Sequence, residues 1–140
     1  MLIGNHTIGF IGYGNMGDAI GQAILKSGQS VYVAESNEDR QDWISSERPD
    51  IILVSIDQLV EQSTIIFLAI KPQQFSKLSE SIQHRFKDNQ CIVSMMAGVS
   101  VDSCSKSTGH GMVVRIMPNT AAALNQGVTG IYFPPDILSN

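Results

Sequence analysis

Cysteine is scarce in this chain: its 140 residues include two. Cys91 lies in a strand-like run and Cys104 in a helix-like one, with no C-x-x-C pair and no Cys/His ligand spacing. Both read as buried or idle thiols. His6, His84 and His110 are equally isolated along the sequence, so no metal site is proposed. Long hydrophobic runs are also missing. The longest, Ile65 to Ile70 and Ile51 to Val54, fall far short of the roughly 20 apolar residues of a membrane span, and no charged leader with a long apolar stretch opens the chain. The expectation is a soluble, cytoplasmic protein with no membrane partner. Positive charge is thin, with nine Lys and Arg against thirteen Asp and Glu. The cations are scattered rather than gathered into a basic stripe, which disfavours nucleic acid as a partner. Without repeats, low-complexity tracts or linkers, residues 1–140 read as one domain.

What the sequence does hold is glycine at defined places. The apolar run Thr7-Ile8-Gly9-Phe10-Ile11 leads into Gly12-Tyr13-Gly14-Asn15-Met16-Gly17, and helical periodicity follows. This is the G-x-G-x-x-G pattern between a strand and a helix. The first glycine permits a tight turn, the second lets backbone approach a pyrophosphate, and the third allows close helix-to-strand packing. The helix directs its unpaired N–H groups and positive dipole end at the phosphates. Gly-rich turns of this kind also occur without a ligand, so the rest of the chain has to decide the matter.

Met16, Ala19, Ile20, Ala23 and Ile24 share one face of that helix, and Ser27-Gly28 stops it. Ser30 to Ala34 reads as the second strand, and Glu35 follows it about twenty residues after the glycines, where this fingerprint places an acid for the ribose hydroxyls. A short helix is expected within Glu38 to Pro49, a short buried strand at Ile51 to Val54, and a brief helix capped by Ser55. Thr64 to Ile70 is a strand too apolar for a sheet edge. Pro72 starts a helix in which Phe75, Leu78, Ile82 and Phe86 recur at core-facing intervals. Strands at Gln90 to Met95 and Met112 to Met117 flank a helix that Ser100 caps and Gly109 ends. A helix over Thr120 to Gln126 and a strand over Val128 to Phe133 complete the set. This alternation predicts an α/β fold, a doubly wound, mostly parallel sheet of the Rossmann type.

Ligands of such sheets bind outside the carboxyl ends of the strands. Five stretches gather there: Gly12 to Gly17, Glu35 to Asn37, Lys71 to Gln73, Met95 to Gly98, and Met117 to Thr120. Each has an ordinary structural explanation as a strand breaker, turn or cap. Their convergence on one rim argues for a cofactor crevice.

The same residues carry a resemblance. Gly9 to Ile20, then Leu68-Ala69-Ile70-Lys71-Pro72-Gln73, then Ser94 to Val99, and finally Arg115-Ile116-Met117-Pro118-Asn119-Thr120 resemble pyrroline-5-carboxylate reductase in order and spacing. The first motif is shared with β-hydroxyacid dehydrogenases, whereas the Lys-Pro-Gln and Met-Pro-Asn-Thr elements are more specific. The resemblance runs the length of the chain and reaches the family's N-terminal nucleotide-binding half. It implies an oxidoreductase of proline biosynthesis, in which reduced NADP or NAD delivers hydride to the C=N carbon of a cyclic imine. Gly12, Tyr13, Gly14, Asn15, Met16 and Gly17 would hold the pyrophosphate, and Glu35, Ser36 and Asn37 the adenosine ribose. Ala69, Ile70, Lys71 and Pro72, with Met95, Met96 and Ala97, would lie beside the nicotinamide, and Asn119 near the floor of the substrate pocket. Lys71 would place positive charge beside the cofactor, or be a solvated lysine before a helix. No catalytic residue is assigned.

Two positions depart from the family. A carboxylate, Glu35, stands where relatives commonly have small, polar or basic residues; it suits a free 2′-hydroxyl and repels a 2′-phosphate, so NADH enters beside NADPH unless Ser36, Asn37 or Arg40 takes the phosphate. Ser55-Ile56 replaces an asparagine near the ribose. The family's helical C-terminal domain, which forms the homo-oligomer and supplies most imine contacts, is expected to be absent from this chain, leaving it little or no reductase activity. The alternatives are a non-catalytic dinucleotide-binding or regulatory module, related to the competence-associated reductase-like proteins, and another imine or β-hydroxyacid reductase.

Overall fold

The strands form where β-branched and aromatic residues run together; Gly12 follows the first of them directly, and Pro72 stands at the start of the helix after the fourth. A computed structural model describes residues 6–117 and 130–132. In chain order the elements are β1 (Ile8–Ile11), α1 (Asn15–Lys26), β2 (Val31–Ala34), α2 (Glu38–Glu47), β3 (Ile52–Leu53) and α3 (Ile56–Gln62). Then come β4 (Ile65–Leu68), α4 (Pro72–Ile82), β5 (Cys91–Ser94), α5 (Val101–Thr108), β6 (Val113–Met117) and β7 (Gly130–Tyr132). Among the described residues the sheet order is β3-β2-β1-β4-β5-β6-β7. All neighbours are parallel except β6 and β7. This is the doubly wound order, with its switch point between β1 and β4.

Each face of the sheet has its own core. Phe10, Val31, Val33, Ile44 and the ring of Tyr13 pack with Ile20, Ile24 and Leu25 of α1 and Trp43 of α2. On the other face Ile66, Leu68 and Ile92 meet Leu59, Phe75, Ile82 and Cys104 from α3, α4 and α5. The sheet residues alternate between the two, as a period of two requires. Phe10 stacks on Phe67 at 4.6 Å between ring centroids, and Tyr13 meets Phe10 edge-on at 5.4 Å.

Most local signals form as expected. Ser55 accepts from the N–H of Gln58 and Ser100 from that of Ser103, and Gly28 and Gly109 take the left-handed conformations that follow helices. Three expectations need correction. Ile52 and Leu53 are exposed, because β3 is the terminal strand of the described sheet and its neighbour Ile51 carries the burial. The helix containing Phe75 ends at Ile82, four residues before Phe86; His84 then adopts φ 61°, and Phe86 returns to the same core from outside the helix. The buried seam of α1 is centred on Gly17 and Gly21 with Ile20 and Ile24, and Ala23 is exposed. The expected helix over Thr120 to Gln126 lies outside the described residues. Of the strand expected over Val128 to Phe133, the described part is β7.

Burial gives the fold a pH dependence. Cys104 is fully buried and its thiol is pushed up to about 12, and burial also raises Tyr13, with Asp18 adding to the shift. An unfolded thiol loses its proton near pH ~8.5, so above that the unfolded chain binds fewer protons than the folded one and stability falls as pH rises. The stabilisation is fully present below about pH 8 and is lost toward about pH 12. We expect the urea midpoint to drop between about pH 8 and about pH 10, and to drop less steeply in Cys104→Ala. Equal slopes for the two proteins would refute the assignment to this thiol.

Candidate functional site: a cleft at the switch point

The glycine turn leaves β1 beside the end of β4. Gly12 has φ 81°, and a Cβ there would lie 2.7 Å from Ile70 Cγ2 and 2.8 Å from the carbonyl oxygen of Ala69. Only glycine fits this close, left-handed crossing. Gly17 is buried where α1 meets the same strand end, and a Cβ built on it would reach Ala69 Cβ at 3.4 Å, an ordinary contact. Gly14 differs from both, because a Cβ built on it meets nothing within 4 Å. The space in front of Gly14 is therefore open, as approach of a pyrophosphate to the backbone requires. Gly14 is also the N-cap of α1 and supplies no side-chain cap. The first-turn N–H groups of α1 thus face the opening without intrahelical acceptors.

A cleft of about 400 Å³ lies there. Its walls come from the turn after β1 (Gly14, Asn15, Met16, Gly17), the turn after β4 (Ala69, Ile70, Lys71, Pro72), the turn after β5 (Met95, Met96, Ala97) and Met117 at the end of β6. The backbone fixes these turns to one another. The N–H of Gly12 donates to the carbonyl of Ala34, that of Ala69 to Ile11, and that of Met95 to Leu68. Lys71 is exposed at the edge, where its N–H donates to Gln74 Oε1 (3.2 Å) and Pro72 opens α4. The lining is largely apolar with four methionines, and its polar groups come from the helix starts and Lys71. Uncapped helix N-termini suit phosphates, while an apolar wall suits a flat ring.

The acid in the first turn of α1 does not oppose an anion unaided. Asp18 is held by Arg48 through two hydrogen bonds, 2.8 Å to Oδ1 and 2.9 Å to Oδ2, and this pair ties α1 to the end of α2. Arg48 and Arg40 both lie over the Trp43 ring, 5.0 and 3.9 Å from its centroid.

Eleven of the residues expected at the site line this cleft together. Gly12, Tyr13, Glu35, Ser36 and Asn37 stand outside its wall. Gly12 is sealed under Ile70 and Ala69, and the Tyr13 ring is fully buried in the core. The backbone of Tyr13 is engaged as well: its N–H donates to Glu35 Oε1 (3.0 Å) and its carbonyl accepts from Arg40 Nε (2.6 Å). Glu35 Oε2 accepts from the N–H of Asn37 (3.0 Å), and Asn37 Oδ1 caps α2 by accepting from Arg40 N–H (2.9 Å). These groups form a second cluster on the β2 side of the turn. Asn119 lies outside the described residues. Met117, expected on the rim with no role of its own, joins the cleft wall, and the Arg40–Trp43–Arg48 stack has no counterpart among the expected site residues. The spacing of Arg40 and Trp43, one helical turn apart, is the signal that was available.

The sheet order, the glycine turn and the cleft define a Rossmann-type NAD(P)-binding domain. The chain belongs to the family described as NADP oxidoreductase, coenzyme F420-dependent, whose model matches residues 7–98. It is 33% identical over 136 residues to the pyrroline-5-carboxylate reductase of Escherichia coli, covering 89% of this chain and 48% of that protein. It is 33% identical over 135 residues to that of Methanosarcina acetivorans, covering 91% and 49%. The crystal structure of 1-pyrroline-5-carboxylate reductase from Streptococcus pyogenes superposes with a TM-score of 0.80 at 28% identity, over 96% of this chain and 52% of that one. The chain spans about half the length of the curated relatives it matches, and the half concerned is the N-terminal one. Among the described residues no helix is long and apolar enough to cross a membrane.

Proposed function

We propose that this chain is the dinucleotide-binding half of a pyrroline-5-carboxylate reductase. The observation that carries this reading is the open space before Gly14, set at the N-terminus of α1 and walled by the turns after β4 and β5. Backbone N–H groups from Gly14 to Gly17 hold the pyrophosphate, and Glu35, Ser36 and Asn37 face the adenosine ribose. Ala69 to Pro72 and Met95 to Ala97 shelter the nicotinamide from water, and Lys71 sets a positive charge at the rim. The reduced cofactor, when bound, supplies hydride to the imine carbon. Asn119 contributes to the substrate pocket, whose remaining contacts belong to the other half of the enzyme, as does the homo-oligomer interface.

Cofactor positioning without substrate orientation leaves most of the barrier in place, since orientation accounts for ~7–11 kcal/mol in well-aligned reactions. The purified 140-residue chain is therefore expected to bind NADH or NADPH in a fluorescence titration and to form little or no proline from pyrroline-5-carboxylate. Robust turnover would refute the half-enzyme reading. Failure to bind either dinucleotide would remove the functional reading altogether.

A further inference from the structure

Glu35 follows β2, and both of its carboxylate oxygens are already engaged. Oε1 takes the N–H of Tyr13 and Oε2 that of Asn37, each at 3.0 Å. Hydrogen bonds to a charged acceptor are stronger than neutral ones, so rotating Glu35 away would break two of them. A carboxylate offers about four acceptor positions, and two remain here. A ribose hydroxyl can donate to such an acceptor; a phosphate carrying about −1.5 to −2 charge cannot do so favourably.

Of the neighbours that could take a phosphate, Ser36 is exposed and offers a hydroxyl but no charge, and the other two are already engaged. Arg40 is the nearest candidate for a phosphate ligand, yet its Nε is spent on the Tyr13 carbonyl and its guanidinium lies 3.9 Å from the Trp43 centroid. Its Nη2 is buried, without a hydrogen-bond partner among the described residues, and so is turned away from solvent. Asn37 uses its side-chain oxygen as the cap of α2 and its N–H on Glu35. The first turn of α2 then carries Glu38 and Asp39, so even this helix N-terminus presents negative charge.

Resting on the proposed dinucleotide site, we infer that Glu35, held by Tyr13 and Asn37, makes this chain select a cofactor with a free 2′-hydroxyl, NADH over NADPH. Selectivity lies in the cluster on the β2 side of the turn, and the cleft itself is common to both cofactors. The test is calorimetric or fluorescence titration of the intact chain with NADH and with NADPH. We expect NADH to bind at least about tenfold tighter. Glu35→Gln retains an acceptor for one backbone amide and removes the charge, so the ratio should narrow to about threefold or less, chiefly through tighter NADPH binding. Glu35→Ser should move the ratio the same way, with a thermal melt confirming that each variant is folded. Equal affinities in the unaltered chain, or preference for NADPH, overturn the inference while leaving the dinucleotide site intact. A ratio unchanged in a folded Glu35→Gln also overturns it. Binding of neither cofactor overturns it together with the function on which it rests.

Discussion

Gly14→Asp is expected to abolish dinucleotide binding, by about a hundredfold or more in affinity, while the protein keeps or slightly raises its stability. The two effects separate because of where Gly14 stands. Its backbone is extended, with φ −79° and ψ −164°, so a side chain meets no conformational penalty there. Nothing within 4 Å would touch a new Cβ. Aspartate is among the favoured N-cap residues; its carboxylate would accept first-turn N–H groups of α1 and sit at the positive end of the dipole, adding up to about 1 kcal/mol. That same carboxylate would occupy the space proposed for the pyrophosphate, spend the donors meant for it and repel its charge. Thermal melts and NADH titration on one preparation read both effects. Retention of binding by a folded Gly14→Asp protein would place the phosphates elsewhere. Gly12 cannot serve for this experiment: its φ of 81°, and the clash that a Cβ there would make with the Ala69 carbonyl, make any side chain a folding defect first.

The contrast between these glycines bears on what a reader of the sequence can recover. Caps and stops at Ser55, Ser100, Gly28 and Gly109 were legible because each depends on backbone conformation within a few residues. The apolar β4 announced a central strand, and it lies between β1 and β5. The exposure of β3 was not legible, since being at the end of a sheet is decided by what pairs with β2 from across the chain. The packing face of α1 is less legible for a related reason: glycine carries no hydrophobic signal, yet Gly17 and Gly21 are buried in the helix seam, and at Gly21 even a Cβ would clash. For the candidate site, the turns after β1, β4 and β5 were found by position along the sheet. The fixing of Glu35 by two amides was not, because one donor comes from 22 residues away and a backbone N–H leaves no trace in residue type.

Gly21→Ala tests that hidden contact and is expected to cost about 2–3 kcal/mol of stability, even though alanine is the better helix former by about 1 kcal/mol. A Cβ on Gly21 would sit 2.2 Å from the Tyr13 hydroxyl and 2.9 Å from Cε2 and Cζ of its ring. The ring cannot yield easily. It is fully buried, edge-on to Phe10, which is itself stacked on Phe67. Either α1 lifts from the sheet or Tyr13 tilts, and Tyr13 belongs to the glycine turn proposed to hold the pyrophosphate. Removing the hydroxyl takes away the worst contact and leaves the 2.9 Å ones. Tyr13→Phe on its own gives up only a long 3.4 Å bond to the Asp18 carbonyl, so it should cost about 1 kcal/mol or less. In the Gly21→Ala background it should instead restore at least half of the lost stability. Urea unfolding of the four proteins in a double-mutant cycle gives the coupling directly. Additive losses would mean that the ring and the helix adjust independently. A coupled result would tie the core beneath α1 to the turn above it, and dinucleotide affinity should then fall in Gly21→Ala and recover with Tyr13→Phe, although neither substitution touches the cleft.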